Sequence, residues 1–171
     1  MTEPDHPDPP SAAELDLVGQ RRTRVDADDL ASLPVRRRTV EMVCSTGRRD
    51  AATWGGAPLP DLLSLGTLPP TTTHLVVGTG DGYAACVGVE AALSGLLAWT
   101  REGRLLAEAT PYVTRFVAPG VDGVRFVKGV ARIEAVALSA GEDPADYESL
   151  DTDSPDFEAA EASGGATGVD G

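Results

Sequence analysis

Cys44 is the residue whose neighbours best suit it to chemistry. It ends the alternating stretch Val40-Glu41-Met42-Val43 and opens the turn Ser45-Thr46-Gly47-Arg48-Arg49. A thiol delivered there meets two fixed positive charges, which favour the thiolate, the form that binds metals. The segment reads as a place for a metal ligand or an anion rather than for a packing cysteine. The other cysteine, Cys86, lies in the apolar run Tyr83-Ala84-Ala85-Cys86-Val87, where a small buried thiol is ordinary. Two thiols are expected rather than a disulfide, since such bonds are rare in a reducing compartment.

Strands and short helices must position these groups. Apolar and β-branched residues alternate or cluster at Leu15 to Val18, Thr39 to Cys44, His74 to Val77, Tyr83 to Val89, Tyr112 to Ala118 and Phe126 to Leu138, giving six expected strands. Asp26-Ala27-Asp28-Asp29-Leu30 has an N-cap aspartate and acids in the first helical turn, and the helix must end before Pro34. Pro58-Leu59-Pro60-Asp61-Leu62-Leu63 starts a second helix, with proline early in it and a stop at Gly66. Glu90 to Trp99 reads as a third. Gly78-Thr79-Gly80-Asp81-Gly82 lacks the spacing of a dinucleotide fingerprint and is expected to be the turn between two strands. Strands interrupted by short helices point to an α+β, mostly-β domain rather than a doubly wound sheet.

Charge divides the chain into three parts. The 171 residues carry a net charge of -13, but five carboxylates fall in residues 1 to 17 and ten in residues 138 to 171, with no Lys or Arg in either stretch. The body between is mildly cationic. Residues 1–14 and 139–171 are expected to be disordered acidic tails around one domain over 15–138, because the tails hold too few large apolar side chains to offset the entropy of ordering. Fifteen tail carboxylates disfavour nucleic acid. Arg21-Arg22 and Arg36-Arg37-Arg38 read as solvated faces, and Trp54 and Trp99 as core or lid residues. No run approaches the ~20 apolar residues of a membrane span. Arg21-Arg22 precede no hydrophobic segment and no basic-then-apolar leader is present, so a cytoplasmic location is expected. His6 and His74 are too far apart and too isolated to form a zinc site or a catalytic dyad by spacing.

The order of motifs resembles the molybdopterin-binding domain of the sulfite oxidase family. The likeness runs from Leu15-Asp16-Leu17-Val18-Gly19 through Asp28-Asp29-Leu30-Ala31-Ser32-Leu33-Pro34 to Cys44-Ser45-Thr46-Gly47-Arg48-Arg49, which is similar to the family's Cys-x-x-Asn-Arg-Arg. Trp54-Gly55-Gly56-Ala57-Pro58-Leu59-Pro60-Asp61-Leu62-Leu63, Asp81-Gly82-Tyr83 and Leu96-Leu97-Ala98-Trp99 follow in the family's order. Arg115-Phe116-Val117-Ala118-Pro119-Gly120, Gly123 and Val127-Lys128 close it. About residues 15 to 137 are covered.

The resemblance implies that a Cys44 thiolate binds molybdenum beside the two sulfurs of a pyranopterin, as a soft anionic ligand suited to that metal. It also implies that Arg48, Arg49, Arg115 and Lys128 contact the cofactor phosphate or an anionic substrate, and that the reaction is a two-electron oxygen-atom transfer on a small oxyanion or sulfoxide. A separate electron carrier is expected, since the chain has neither a Cys-x-x-Cys-His haem motif nor a flavin fingerprint. Several positions depart from the pattern. Thr110-Pro111-Tyr112-Val113-Thr114 replaces a His-Gly-x-Pro-x segment that helps hold the pterin, Gly129 stands where the family has tryptophan, Gly47 where it has asparagine, and Arg101-Glu102-Gly103 where it has Met-Asn-Gly. A second reading therefore stands beside the first, in which the fold is kept without molybdenum and serves as a ligand- or protein-binding module.

Overall fold

The computed structural model describes residues 6–43 and 46–150. Among these residues ten strands form two sheets. The first sheet is built from β1 (Leu15–Val18), β2 (Arg22–Val25), β5 (His74–Gly78), β6 (Ala84–Gly88) and β10 (Arg132–Val136), in the order β2-β1-β10-β5-β6. Only the β1–β10 pairing in it is parallel. The second contains β3 (Arg36–Val43), β4 (Arg49–Pro58), β7 (Leu96–Arg101), β8 (Arg104–Leu105) and β9 (Arg115–Val117). Its order is β3-β4-β7-β8, and β9 also pairs with β7. Four short helices, α1 (Ala27–Ala31), α2 (Leu59–Leu63), α3 (Val89–Leu93) and α4 (Leu106–Ala109), lie between strands. The mostly-β architecture with short helices is the expected one.

Local chemistry explains several elements. Asp26 caps α1 through a capping box, its side chain accepting from the Asp29 N–H while the Asp29 carboxylate accepts from the Asp26 N–H. In α2, Pro60 sits in the first turn, where its missing N–H costs no hydrogen bond. Gly82, at φ +102°, lets the chain turn from β5 into β6.

Three expected elements came out differently. The Glu90 to Trp99 helix ends at Leu93, and Leu96–Arg101 is the strand β7. Leu97 and Trp99 face the main core between the sheets, whereas Leu96 and Ala98 face a second, smaller core on the far side. A strand buried on both faces shows no alternation, so its apolar run mimics a buried helix. The strands expected over Tyr112 to Ala118 and Phe126 to Leu138 shrink to β9 and β10, because their outer parts run irregularly, apart from the isolated bridge at Lys128. The long strand β4 was not expected at all, since Trp54-Gly55-Gly56-Ala57-Pro58 has the composition of a turn; β2 and β8 were also missed.

The packed body reaches beyond the expected limits of 15 and 138. The Trp99 indole N–H donates to the Pro7 carbonyl at 2.9 Å, His6 Nε2 lies 2.9 Å from Thr100 Oγ1, and Ala13 is fully buried. At the other end, Ser149 and Ala84 exchange backbone hydrogen bonds along the edge of β6. A buried indole needs an acceptor and an open strand edge needs a partner, and both ends of the chain supply them. The remaining parts of the expected tails, residues 1–5 and 151–171, lie outside the described residues. Among the described residues no helix is long and apolar enough to cross a membrane.

Gly56 holds the β4–β7 contact together. The register shifts between Gly55 and Gly56, and a Cβ on Gly56 would fall 2.0 Å from the Leu97 carbonyl oxygen and 2.6 Å from the Ala98 Cα. Backbone on a neighbouring strand cannot step aside as a flexible side chain can. Gly56→Ala is expected to lower unfolding free energy by about 3 kcal/mol or more in urea titration. Gly80→Ala, where nothing lies within 4 Å, should stay within about 0.5 kcal/mol of wild type.

Candidate functional site

The second core gathers the candidate site. On β3, Val40 and Met42 point inward, and on β4 Ala52 and Trp54 do so, each pair set by antiparallel register. Arg115, the first residue of β9, lies opposite Ala98 of β7 and so projects onto the same face. Arg115 as a whole residue is 8% exposed. The Nε–H donates to the Phe126 carbonyl at 2.9 Å, and Nη2 lies 3.9 Å from Met42 Sδ. The guanidinium carbon sits 5.6 Å from the Trp54 ring centroid and 5.9 Å from that of Phe126.

These contacts explain how a cation is held in an apolar setting. Arginine is planar, weakly hydrated and stacks on aromatic faces, so rings replace part of its lost water. Arg101 adds a second guanidinium, 5.4 Å from the Trp54 centroid. Trp54 itself is 1% exposed, and its indole N–H meets no acceptor among the described residues. Such a donor costs about 1–3 kcal/mol and calls for a structural or functional reason.

Lys128 joins Arg115 through the backbone. The two residues form an isolated antiparallel bridge, flanked by hydrogen bonds from Phe116 N–H to the Val127 carbonyl and from Gly129 N–H to the Thr114 carbonyl, at 2.9 and 2.7 Å. Directly opposed residues share a face, so two of the four expected cations are brought together. Gly129 has φ +72°, a conformation that disfavours the tryptophan expected there by resemblance.

The other two cations are placed apart. Arg49 opposes Val43 and ion-pairs with Glu41 at 2.7 Å on the outward face of the hairpin, one residue out of phase with Met42. That pair is exposed, and surface pairs of this kind contribute little. Arg48 is exposed just after Gly47, whose φ of +84° turns the chain toward β4. Cys44, the expected metal ligand, lies outside the described residues together with Ser45. Met42, two positions earlier in the chain, is the described residue that ties this end of β3 to Arg115.

Sequence reasoning passed over Met42, Trp54, Arg101 and Phe126 as walls of the site. Their types carry no site signature, and they converge only once the β3–β4 and β4–β7 registers are known. Cys86 is a free, buried thiol in β6. Burial pushes it up to about 11 and the Glu148 carboxylate adds to that, with Arg125 opposing. At neutral pH it is therefore protonated, unsuited to nucleophilic or metal-binding work. Among the described residues no group of three or more His, Cys, Asp or Glu could hold a metal ion.

Comparison with known proteins adds two findings. The family model described as the oxidoreductase molybdopterin binding domain matches residues 6–141. Among solved structures, the sulfane dehydrogenase SoxCD from Paracoccus pantotrophus superposes with a TM-score of 0.67 at 19% identity, over 77% of this chain and 40% of that one. At that identity the likeness is one of fold. The chain spans less than half of that structure's chain, and no curated protein matches it.

Proposed function

Since the chain belongs to the oxidoreductase molybdopterin-binding domain family, we propose that it is a compact molybdopterin-dependent oxidoreductase domain acting by two-electron oxygen-atom transfer on a small oxyanion or sulfoxide. The observation that carries this reading is the buried Arg115 guanidinium, stacked on Trp54 and Phe126, opposite Lys128 and touching Met42 two residues before Cys44.

The residues present suit such a group. Arg115 and Lys128 offer positive charge to a phosphate or an oxyanion, and the unpaired Trp54 N–H is a donor for an acceptor that the described residues do not supply. In this reading Cys44 is the metal ligand, and Arg48 and Arg49 are outer cations whose field favours its thiolate. When bound, the molybdenum–pyranopterin supplies the two-electron redox couple. The protein supplies electrostatics. The Phe126 carbonyl fixes the direction of Arg115, so its charge is preorganised toward an anion rather than reoriented on arrival. Trp54 and Phe126 exclude water beside it, which strengthens its field. A separate electron carrier and a cytoplasmic location complete the proposal.

One observation favours the second reading, a cofactor-free binding module. The segment that replaces the family's His-Gly-x-Pro-x is hydrogen-bonded to itself and to neighbouring segments. Thr110 Oγ1 lies 2.8 Å from both the Leu106 and Tyr112 carbonyl oxygens, and Thr114, 2% exposed, accepts the Val130 N–H through its hydroxyl. Molybdenum content by elemental mass spectrometry, on protein from a host that makes the cofactor, decides between them. Near-stoichiometric metal is expected; well-folded protein without metal would select the binding module.

A further inference from the structure

We infer that Glu148 is a positioning residue for Arg115, acting from a C-terminal strap on the opposite side of the segment that holds the guanidinium. Residues 143–150 lie along the edge strand β6. The strap is pinned by the Ala84–Ser149 bridge and by the Glu148 carboxylate, whose side chain is 6% exposed and accepts the Cys86 N–H at 2.8 Å. The same carboxylate takes Arg125 in a two-pronged contact, Nε to Oε2 at 2.7 Å and Nη2 to Oε1 at 2.8 Å. Paired, parallel bonds of this sort fix orientation as well as distance.

Arg125 belongs to the 3-10 turn Gly123–Arg125, and the next residue is Phe126, whose carbonyl orients Arg115. Two further contacts hold the turn. A Cβ on Gly123 would fall 2.6 Å from Met42 Cγ and 3.2 Å from the Val43 carbonyl, so the turn lies directly on the end of β3. The Tyr83 hydroxyl donates to the Val124 carbonyl. Glu148 thus holds this turn against the end of β3, and through it sets the acceptor that aims Arg115. Glu148 lies 20 residues or more along the chain from every expected site residue. Its effect on the anion site runs through the Arg125–Phe126 step.

The functional half of this inference rests on the molybdopterin reading, whereas the structural half does not. The test compares wild type, Glu148→Ala and Glu148→Gln, the last keeping the side-chain volume should the alanine variant fold poorly. Amide hydrogen exchange is read at Phe116 and Gly129, whose N–H groups bridge β9 to residues 127–129, with β1 and β10 as internal controls. Trp54 emission in a Trp99→Phe background reports the stacked guanidinium, and Arg115→Met in that background supplies the reference shift.

In Glu148→Ala, exchange at Phe116 and Gly129 is expected to quicken about tenfold, the β1 and β10 amides to stay unchanged, and Trp54 emission to move in the direction seen for Arg115→Met. Glu148→Gln should show a smaller change of the same kind. Folded variants with wild-type exchange at Phe116 and Gly129 and an unmoved Trp54 emission would overturn the assignment and leave Glu148 as an anchor of the strap alone. Molybdenum content, measured on the same samples, should fall in Glu148→Ala. A wild type without molybdenum would refute the cofactor reading, while exchange and emission in the metal-free protein would still decide the positioning role.

Discussion

Cys44→Ser is expected to reduce molybdenum from near-stoichiometric to background while leaving the protein folded. The exchange is nearly isosteric, but the chemistry differs. A thiol deprotonates within reach of neutral pH and gives a soft, polarisable anion, whereas a serine hydroxyl stays protonated and hard. The fold has little reason to respond. The β3–β4 hairpin is held in continuous register from Arg36–Gly56 to Val43–Arg49, and its apolar anchors Val40, Ala52 and Trp54 lie in the second core. The unfolding midpoint should therefore stay within about 2 °C of wild type. Elemental mass spectrometry and a thermal melt on the same preparations check both halves. Equal molybdenum in the two proteins would remove Cys44 from the site.

Arg115→Ala is expected to act on both stability and binding. It removes the charge-assisted bond to the Phe126 carbonyl and the stacking on Trp54 and Phe126, and it opens a gap beside Met42. A hydrogen bond from a charged donor contributes about 1.5–3 kcal/mol and a desolvated cation–π contact up to about 2 kcal/mol. A loss of about 3 kcal/mol in urea titration is the expected sum, since such terms overlap rather than add. Arg115→Lys separates charge from shape. Lysine keeps the positive charge but lacks the planar group that donates to Phe126 while lying over two rings. It should recover less than half of the lost stability and bind molybdenum poorly. Full recovery of both by lysine would mean that charge alone matters at this position, and the argument from stacking would fail.

Much of the local structure was legible because its causes are local. A side-chain cap at Asp26, a proline early in α2 and a left-handed glycine at the β5–β6 turn each act within a few residues. The motif order from Leu15 to Lys128 was equally readable, and it anticipated the family. The two tryptophans behaved as core residues for a simple reason, since their apolar area is too large to leave in water.

Two of the misread elements have tertiary causes. Leu96 to Trp99 is apolar at every position, and only a second layer on the far side of the sheet explains why a strand can be so. Trp54-Gly55-Gly56-Ala57-Pro58 looks like a turn until Leu97 and Ala98 approach so closely that glycine is required.

The sequence by itself determined the mostly-β class, the position of the caps and turns, the membership of the family and the candidate residues Cys44, Arg48, Arg49, Arg115 and Lys128. Only the tertiary structure decided which described cations meet. Strand parity sends Arg49 outward to Glu41, whereas β9 pairing brings Arg115 inward to Trp54 and Met42, with Lys128 opposite. It also brought Glu148 onto Arg125, one residue before Phe126. Register, side-chain parity and contacts between segments tens of residues apart are properties of the folded sheets, set by the sum of many weak interactions and carried by no single motif.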